Sequence, residues 1–205
     1  MKTVILTGPI GSGKSAVSAL LRERGIPVYD SDTRTKQLYD RRPALVRRLE
    51  KALEAPIRTP EGKLDRGRLA AIIFGDDAAR EKLESIVYPA VLQDFLRWRQ
   101  RQEGAPFVVL ESAVILSKPV FDGLADAVVV VTAPEDLRLR RVMQRDGMGE
   151  ASVRERMSAQ DFPWERAGLV LRNDGSPEAL SEEVERAFFD NNSYICKILN
   201  EKKQK

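Results

Sequence analysis

The stretch Gly8-Pro9-Ile10-Gly11-Ser12-Gly13-Lys14-Ser15 decides the fold class of this 205-residue chain. It matches the phosphate-loop pattern G-x-x-x-x-G-K-[ST] at each fixed position. A strand-like apolar run at 3–7 precedes it, and a helical pattern at 15–24 follows it. Glycines allow several backbone N–H groups to point into one concavity, and the positive end of the following helix also favours phosphate. The sequence therefore predicts a nucleotide-binding loop.

Particular residues of this loop have predicted roles. The Lys14 ammonium can reach the β- and γ-phosphates, and the Ser15 hydroxyl can ligate Mg²⁺. The residues predicted to bind the nucleotide are Gly8, Gly11, Ser12, Gly13, Lys14, Ser15 and Ala16.

Alternating strand and helix patterns predict an α/β fold around a parallel sheet. Five apolar runs are predicted strands, at 3–7, 26–29, 107–110, 128–131 and 169–171. Continuous apolar runs are typical of strands that are buried on both faces. We expect one P-loop kinase domain over 1–190, with a three-layer core at 1–31, 106–137 and 161–190. We also expect an inserted helical acceptor lobe at about 32–105, an arginine-rich lid at about 138–160, and a frayed tail at 191–205.

Composition excludes several chemistries. The chain has no histidine and a single cysteine, Cys196, so an intrachain disulfide, a cysteine zinc site and a histidine-based nucleophile are impossible. The net charge of +3 fits an anionic ligand, but the basic residues are interleaved with acidic ones, which is weak support for nucleic acid as a partner. No apolar run approaches the ~20 residues that span a bilayer. With a strand at the N-terminus and no signal peptide expected, we predict a cytoplasmic protein without membrane or nucleic-acid partners.

Carboxylates follow two of the predicted strands. Asp30 and Asp32 follow the second strand, at the sheet edge where the phosphate loop also lies. They can accept a proton from a hydroxyl or help to hold Mg²⁺, or one of them can cap the next helix. Glu111 ends the third strand and can hold Mg²⁺ through water, or be a surface or capping carboxylate.

Arginines between residues 138 and 156 suggest a lid. Arg138, Arg141 and Arg145 are spaced i, i+3 and i+7, so they share one helix face. Such a lid can neutralise charge and exclude water during phosphoryl transfer. The alternative is a solvated face, because acidic residues are interspersed. No N-K-x-D guanine-reading segment occurs, which argues against a GTPase, and the chain is small for a motor ATPase.

Taken together, the motifs resemble the dephospho-coenzyme A kinase family over roughly residues 3–180. Beyond the phosphate loop, the resemblance lies in Asp30-Ser31-Asp32, Gly62-Lys63-Leu64-Asp65-Arg66 and Arg141-Val142-Met143-Gln144-Arg145-Asp146. It implies ATP and Mg²⁺ as cofactors and dephospho-CoA as the acceptor, with Asp32 as the base towards the ribose 3′-hydroxyl. It further implies acceptor contacts at Asp65, Arg66 and Tyr88, lid contacts from Arg141 and Arg145, and a nucleotide contact at Asn173. The predicted metal contacts are Ser15, Asp30 and Glu111, from their positions in the loop and at the strand ends.

Two segments depart from the family pattern. Tyr88-Pro89 stands where the family usually has His-Pro, and tyrosine can hydrogen-bond but cannot carry a positive charge. Residues 112–118 match the family's P-L-L-F-E only loosely, with Lys118 near the place of its glutamate.

Other functions remain open at this point. A different small-molecule P-loop kinase could use a nucleoside, nucleotide or shikimate-like acceptor, and a non-catalytic nucleotide-dependent binding module is also compatible with the sequence. A nucleic-acid ATPase would need a long basic and aromatic groove, which the sequence does not show. The oligomeric state is also left open.

Overall fold

The computed structural model describes residues 1–160 and 162–201. The chain divides into two compact units. The first contains Met1–Tyr29 and the chain from Gln102 onward, and the second is Asp30–Arg101. The second unit has bounds close to those of the segment expected at about 32–105, whose role as an acceptor lobe stays a prediction.

A five-stranded sheet forms the centre of the first unit, in the order β2-β3-β1-β4-β5. The strands are β1 (Lys2–Thr7), β2 (Val28–Asp30), β3 (Phe107–Glu111), β4 (Ala127–Thr132) and β5 (Leu169–Arg172). β1 pairs in parallel with both β3 and β4, and β4 pairs in parallel with β5. In this register Leu6 is opposite both Glu111 and Val129, so the carboxyl ends of the central strands meet at the start of the phosphate loop.

Helices account for much of the remaining chain. They are α1 (Lys14–Glu23), α2 (Ser31–Arg41), α3 (Pro43–Leu53), α4 (Arg66–Ile73), α5 (Asp77–Gln100), α6 (Glu135–Asp146), α7 (Glu150–Ser158), α8 (Pro177–Phe188) and α9 (Tyr194–Asn200). Short 3₁₀ turns lie at Ile115–Ser117, Pro119–Phe121 and Trp164–Arg166. Across residues 1–160 and 162–201, no helix is both long and apolar enough to cross a membrane.

Both faces of the sheet are covered. On one face, alternate residues such as Val4 and Leu6 of β1 join a core with side chains of α1, α8 and α9. On the other, Ile5 of β1 and Val108 of β3 are also buried. The continuous apolar runs of the strands arise from this double burial, as predicted.

The second unit is built around the long helix α5, which α2, α3 and α4 all contact. Its core includes Leu38, Leu49, Val91 and Phe95. Three of its helices begin with an aspartate cap, whose carboxylate accepts a hydrogen bond from the backbone N–H three residues later: Asp30 for α2, Asp65 for α4 and Asp76 for α5. The sequence predicts this segment to be helical, and the structure divides it into the four helices α2 to α5.

The segment after residue 190 differs from the expected frayed tail. Ser193 caps α9 by accepting a hydrogen bond from the N–H of Cys196, and Ile195 is fully buried in the core with Phe188. The composition of this segment is polar overall. Ile195, Ile198 and Leu199 nevertheless all fall within a single short helix and give it an apolar face. Residues 202–205 of the predicted tail lie outside the described residues.

Replacement of this buried isoleucine tests the helix. We expect Ile195→Ala to lower the free energy of unfolding by about 2–4 kcal/mol, because it leaves a cavity against Phe188. Urea denaturation of the purified chain measures this, with the exposed Lys197→Ala as the control that should change it by less than about 0.5 kcal/mol. Equal stability of both variants would show that the segment does not pack.

Candidate active site

The phosphate loop, residues 8–15, joins β1 to α1 through glycines that no other residue can easily replace. Gly13 has a φ of 92° and Gly8 a φ of 150°, both in the region that favours glycine. A Cβ atom on Gly8 would collide with the carbonyl oxygen of Val131, and one on Gly13 would collide with the side-chain amide of Asn173. The loop is therefore closely packed against the sheet edge on both sides.

Backbone donors of this loop are available to a ligand. The N–H groups of Gly11, Gly13 and Ser15 have no acceptor in the part of the chain that the structure describes. Gly13 caps α1 without any side-chain acceptor, and the first turn of this helix contains no acidic residue. The positive end of the helix is thus uncompensated by the protein, as an anion site requires.

Buried hydroxyl groups support the same interpretation. Thr7 Oγ1 and Ser12 Oγ are buried without a hydrogen-bond partner among the described residues. A buried polar group without a partner is costly, and phosphate oxygens could accept from both. The residues present therefore fit a nucleotide phosphate group.

The Lys14 side chain folds back over the loop. Its ammonium donates to the carbonyl oxygens of Gly8 at 2.9 Å and Pro9 at 3.4 Å. Ser15 follows at the first turn of α1 with an exposed side chain. Both residues predicted to meet phosphate and Mg²⁺ thus lie at the ligand-facing end of α1.

Asn173, which follows the edge strand β5, holds the phosphate loop in place. It is buried, and its Nδ2 donates to the carbonyl oxygen of Ser12 at 2.9 Å. Arg141 of α6 donates to the backbone oxygen of Asn173 at 3.1 Å and to its Oδ1 at 3.3 Å. The structure therefore brings together Ser12, Asn173 and Arg141, three predicted site residues that are far apart in sequence.

Two further residues hold the loop, and their roles were missed in the sequence. Arg138 donates to the carbonyl oxygen of Ile10 at 3.3 Å, and the N–H of Ile10 donates to Gln160 Oε1 at 2.7 Å. The sequence indicates Arg138 only as a member of the arginine cluster and Gln160 only as part of the lid expected at about 138–160, and it predicts no contact of either with the phosphate loop. Sequence separations of 128 and 150 residues explain why local patterns could not indicate either contact.

Arg145 is placed differently from Arg141. Its guanidinium donates to both carboxylate oxygens of Asp146, at 2.7 and 2.9 Å. Arg156 lies 3.9 Å from the same carboxylate, and all three side chains are accessible to solvent. The hydrogen bond to Asp146 raises the pKa of Arg145, and the same bond lowers the pKa of Asp146. Arg145 is thus paired with its neighbour within the predicted lid.

Glu111 lies at the carboxyl end of β3, where it accepts a 2.5 Å hydrogen bond from the Ser18 hydroxyl of α1. This bond orients one carboxylate oxygen at the edge of the sheet on which the phosphate loop begins. No group of three or more cysteine, aspartate or glutamate side chains suited to a metal ion occurs among residues 1–160 and 162–201.

The two carboxylates after β2 have different surroundings. Both oxygens of Asp30 are occupied by Thr33, at 2.9 Å from its N–H and 2.7 Å from its hydroxyl. This geometry favours the capping interpretation of Asp30 over the metal ligand. Asp32 is exposed in the first turn of α2 and has no hydrogen-bond or ion-pair partner within the described chain. Asp32 is therefore the carboxylate that is available for chemistry.

Tyr88 and Tyr39 lie within electrostatic range of one another in the second unit, and Asp32 also acts on Tyr88. Burial, together with the nearby Glu84 carboxylate, raises the pKa of Tyr88, whose hydroxyl donates to Glu84 Oε1 at 3.2 Å. Burial also raises the pKa of Tyr39 to about 12, against an opposing effect of Arg66. Both phenols are neutral hydrogen-bond donors near neutral pH.

The remaining residues predicted to contact the acceptor have local partners. Asp65 caps α4 by accepting from the N–H of Arg68 at 3.0 Å, and it also forms an ion pair with the Arg68 side chain. Arg66 is exposed and lies 3.4 Å from the Asp40 carboxylate. Their acceptor contacts stay predictions.

A parallel sheet in this order, with a lysine-bearing phosphate loop between β1 and α1, defines a P-loop kinase. The family model of dephospho-CoA kinase matches residues 2–178, so the chain belongs to the dephospho-CoA kinase family. This confirms the resemblance that the sequence motifs indicated.

Individual relatives agree with this assignment. A dephospho-CoA kinase from Anaeromyxobacter dehalogenans is 37% identical over 200 residues, covering 93% of this chain and 92% of the relative. Another, from Porphyromonas gingivalis, is 43% identical over 161 residues, covering 78% of each. A Thermus thermophilus crystal structure aligns at a TM-score of 0.75 and 36% identity, covering 91% of this chain and 93% of that one. A Campylobacter jejuni dephospho-CoA kinase, at a TM-score of 0.57 and 22% identity over 89% and 93% of the two chains, shares the fold.

The contacts of Asn173 generate a direct test of the loop. In Asn173→Ala, the carbonyl oxygen of Ser12 loses its donor and the Arg141 guanidinium keeps only its bond to the backbone oxygen, so we expect ATP affinity to fall about tenfold. Titration with a fluorescent ATP analogue measures this, and the exposed neighbour replacement Asp174→Ala is the matched control. Unchanged affinity in Asn173→Ala would contradict a role for Asn173 in shaping the loop.

Proposed function

We propose that this chain transfers the γ-phosphoryl group of ATP to the ribose 3′-hydroxyl of dephospho-CoA, giving coenzyme A and ADP. The observation that carries this proposal is the family match over residues 2–178, which includes an intact phosphate loop with unpaired donors. The relatives from Anaeromyxobacter dehalogenans and Porphyromonas gingivalis are themselves named dephospho-CoA kinases.

The phosphate loop binds and orients ATP in this proposal. The Lys14 ammonium now bonds to two neutral carbonyl oxygens, and charged phosphate oxygens are stronger acceptors for it. The N–H groups of Gly11, Gly13 and Ser15 converge on the same anion. Arg141, held by Asn173, adds a fixed positive charge next to the loop, where charge develops during transfer.

Mg²⁺ would be held by the Ser15 hydroxyl and, through water, by Glu111, and when bound it neutralises phosphate charge. These are oxygen ligands of the kind that Mg²⁺ prefers, and Mg²⁺ commonly keeps water and substrate phosphates in its coordination shell. The hydrogen bond from Ser18 orients Glu111 for this role.

Asp32 accepts the proton of the 3′-hydroxyl in our proposal. Its neighbour Asp30 is occupied by Thr33, whereas Asp32 has no competing partner in the described chain. The charge of Asp32 acts on the Tyr88 phenol, whose proton is donated to Glu84, so the Tyr88 oxygen can accept a hydrogen bond from an acceptor hydroxyl. Arg66 and Asp65, at the start of α4, are the further acceptor contacts that the family motif implies.

Acceptor-dependent ADP release tests the function as a whole. Purified chain with Mg-ATP should release ADP rapidly with dephospho-CoA and much more slowly without it. A panel containing nucleosides, nucleotides and shikimate separates this from another small-molecule kinase. Nucleotide binding without ADP release for any acceptor would instead support a non-catalytic binding module.

The two aspartates after β2 form a matched pair for testing the base. We expect Asp32→Asn to lower kcat by at least ~100-fold, because asparagine cannot take the proton. Asp30→Asn should retain most of the activity, since asparagine is also a good helix cap. Coupled ADP release measures both variants, and near-normal turnover in Asp32→Asn would remove Asp32 as the base.

A further inference from the structure

We propose that the groove between α3 and α5 is a binding site for an organic phosphate that carries an aliphatic arm. This groove is a cavity of about 580 Å³ in the second unit. It combines cationic side chains from the start of α3 with an aliphatic surface on α5. None of its residues is among those assigned above to the phosphate loop, the base or the acceptor contacts.

The wall on α3 has a small residue on the same helix face as two arginines. Ala44 is followed by Arg47 and Arg48 at i+3 and i+4, so both guanidinium groups flank the space above one methyl group. Leu45 is buried and also lines the cavity, whereas Leu49 is fully buried in the core. The helix thus leaves an opening where Ala44 lies and places positive charge on both sides of it.

Two of the three arginines that line this groove have no ion-pair partner among the described residues. Within residues 1–160 and 162–201, Arg47 and Arg48 have no carboxylate partner, and the cavity lining contains no aspartate or glutamate. A third arginine, Arg42, lies 3.9 Å from Asp94, but that carboxylate is bound more closely by Arg34, at 2.7 Å. Arg47 and Arg48 therefore bring two unpaired positive charges to one cavity, which an anionic group complements.

The wall on α5 is suited to an aliphatic chain. Ile86, Ala90 and Gln93 are spaced i, i+4 and i+7, so they share one face of the helix, with Pro89 beside them. Apart from the amide group of Gln93, the side chains on this face are aliphatic. A ligand with a phosphate at one end and a chain of methylene and amide groups at the other complements both walls.

The groove lies on a different side of α5 from the proposed acceptor hydroxyl site. The Tyr88 hydroxyl donates a hydrogen bond to Glu84, one helical turn before it. These two residues lie on a face of α5 about half a turn away from the face of Ile86 and Ala90. Two molecules offer the required chemistry: the pantetheine-diphosphate half of the acceptor, and a separate phosphorylated compound. Binding of the acceptor's own pantetheine-diphosphate half rests on the proposed function, whereas binding of a separate phosphorylated compound does not.

Calorimetric titration of the full chain with pantetheine 4′-phosphate tests the site. We expect Arg47→Gln/Arg48→Gln to weaken binding about tenfold or more, because two charge-assisted contacts are lost. Ala44→Leu should weaken it comparably by filling the cavity while both charges remain. The control Arg97→Gln/Arg101→Gln removes the same charge from exposed arginines elsewhere in the unit, and it should leave binding unchanged. Pantetheine, which lacks the phosphate, should bind much more weakly.

The kinase assay on the same variants distinguishes the two sources. A raised KM for dephospho-CoA, with kcat and the KM for ATP unchanged, assigns the groove to the acceptor's own arm. Loss of pantetheine 4′-phosphate binding with an unchanged acceptor KM assigns it to a separate ligand. Equal binding by the wild type, Arg47→Gln/Arg48→Gln and Ala44→Leu, or no binding to the wild type, would overturn the proposal. Absence of acceptor-dependent ADP release in the wild type would instead reject the proposed function, without affecting the binding result.

Discussion

The hydrogen bond from the buried Asn173 amide to the carbonyl oxygen of Ser12 is the contact on which the phosphate loop depends. It joins the loop after β1 to the end of β5, and β4 lies between these two strands. Arg141 binds both oxygens of the same asparagine, so α6 is held at the loop as well. Because Gly13 packs directly against this amide, a side chain at position 13 would displace the bond. Loop shape, sheet edge and helix position are thus set by one shared group.

Much of the first unit could be predicted because its signals are local. The glycine spacing of the loop, the apolar strands and the helix after Lys14 all arise from neighbouring residues, and the structure has them within a few positions of the predicted bounds. The contacts that hold the loop could not be predicted in the same way. Arg138 and Gln160 contact Ile10 across more than a hundred residues of sequence, and nothing in their immediate sequence indicates these contacts.

Asp30 and Asp32 show the same limit on a smaller scale. Their spacing predicts two carboxylates at one edge of the sheet, but the sequence cannot say which one has its oxygens occupied. The answer depends on Thr33, whose N–H and hydroxyl both donate to Asp30 once α2 begins at Ser31. The prediction of a frayed tail beyond residue 190 was wrong for a related reason. A helix of seven residues contains too few apolar positions for its buried face to be recognised among polar neighbours.

The shared carboxylate of Asp146 has a consequence for how the helical pair α6 and α7 responds to its surroundings. Arg145 and Arg156 both approach this one exposed carboxylate. The link between α6 and α7 is therefore an ion pair that water and salt can reach. An exposed ion pair holds its partners weakly, because water and salt compete for both charges. Arg145 is therefore weakly held, in contrast to Arg141, which a buried residue fixes. A polyanion can recruit Arg145 at little cost, and dissolved salt competes for the same guanidinium.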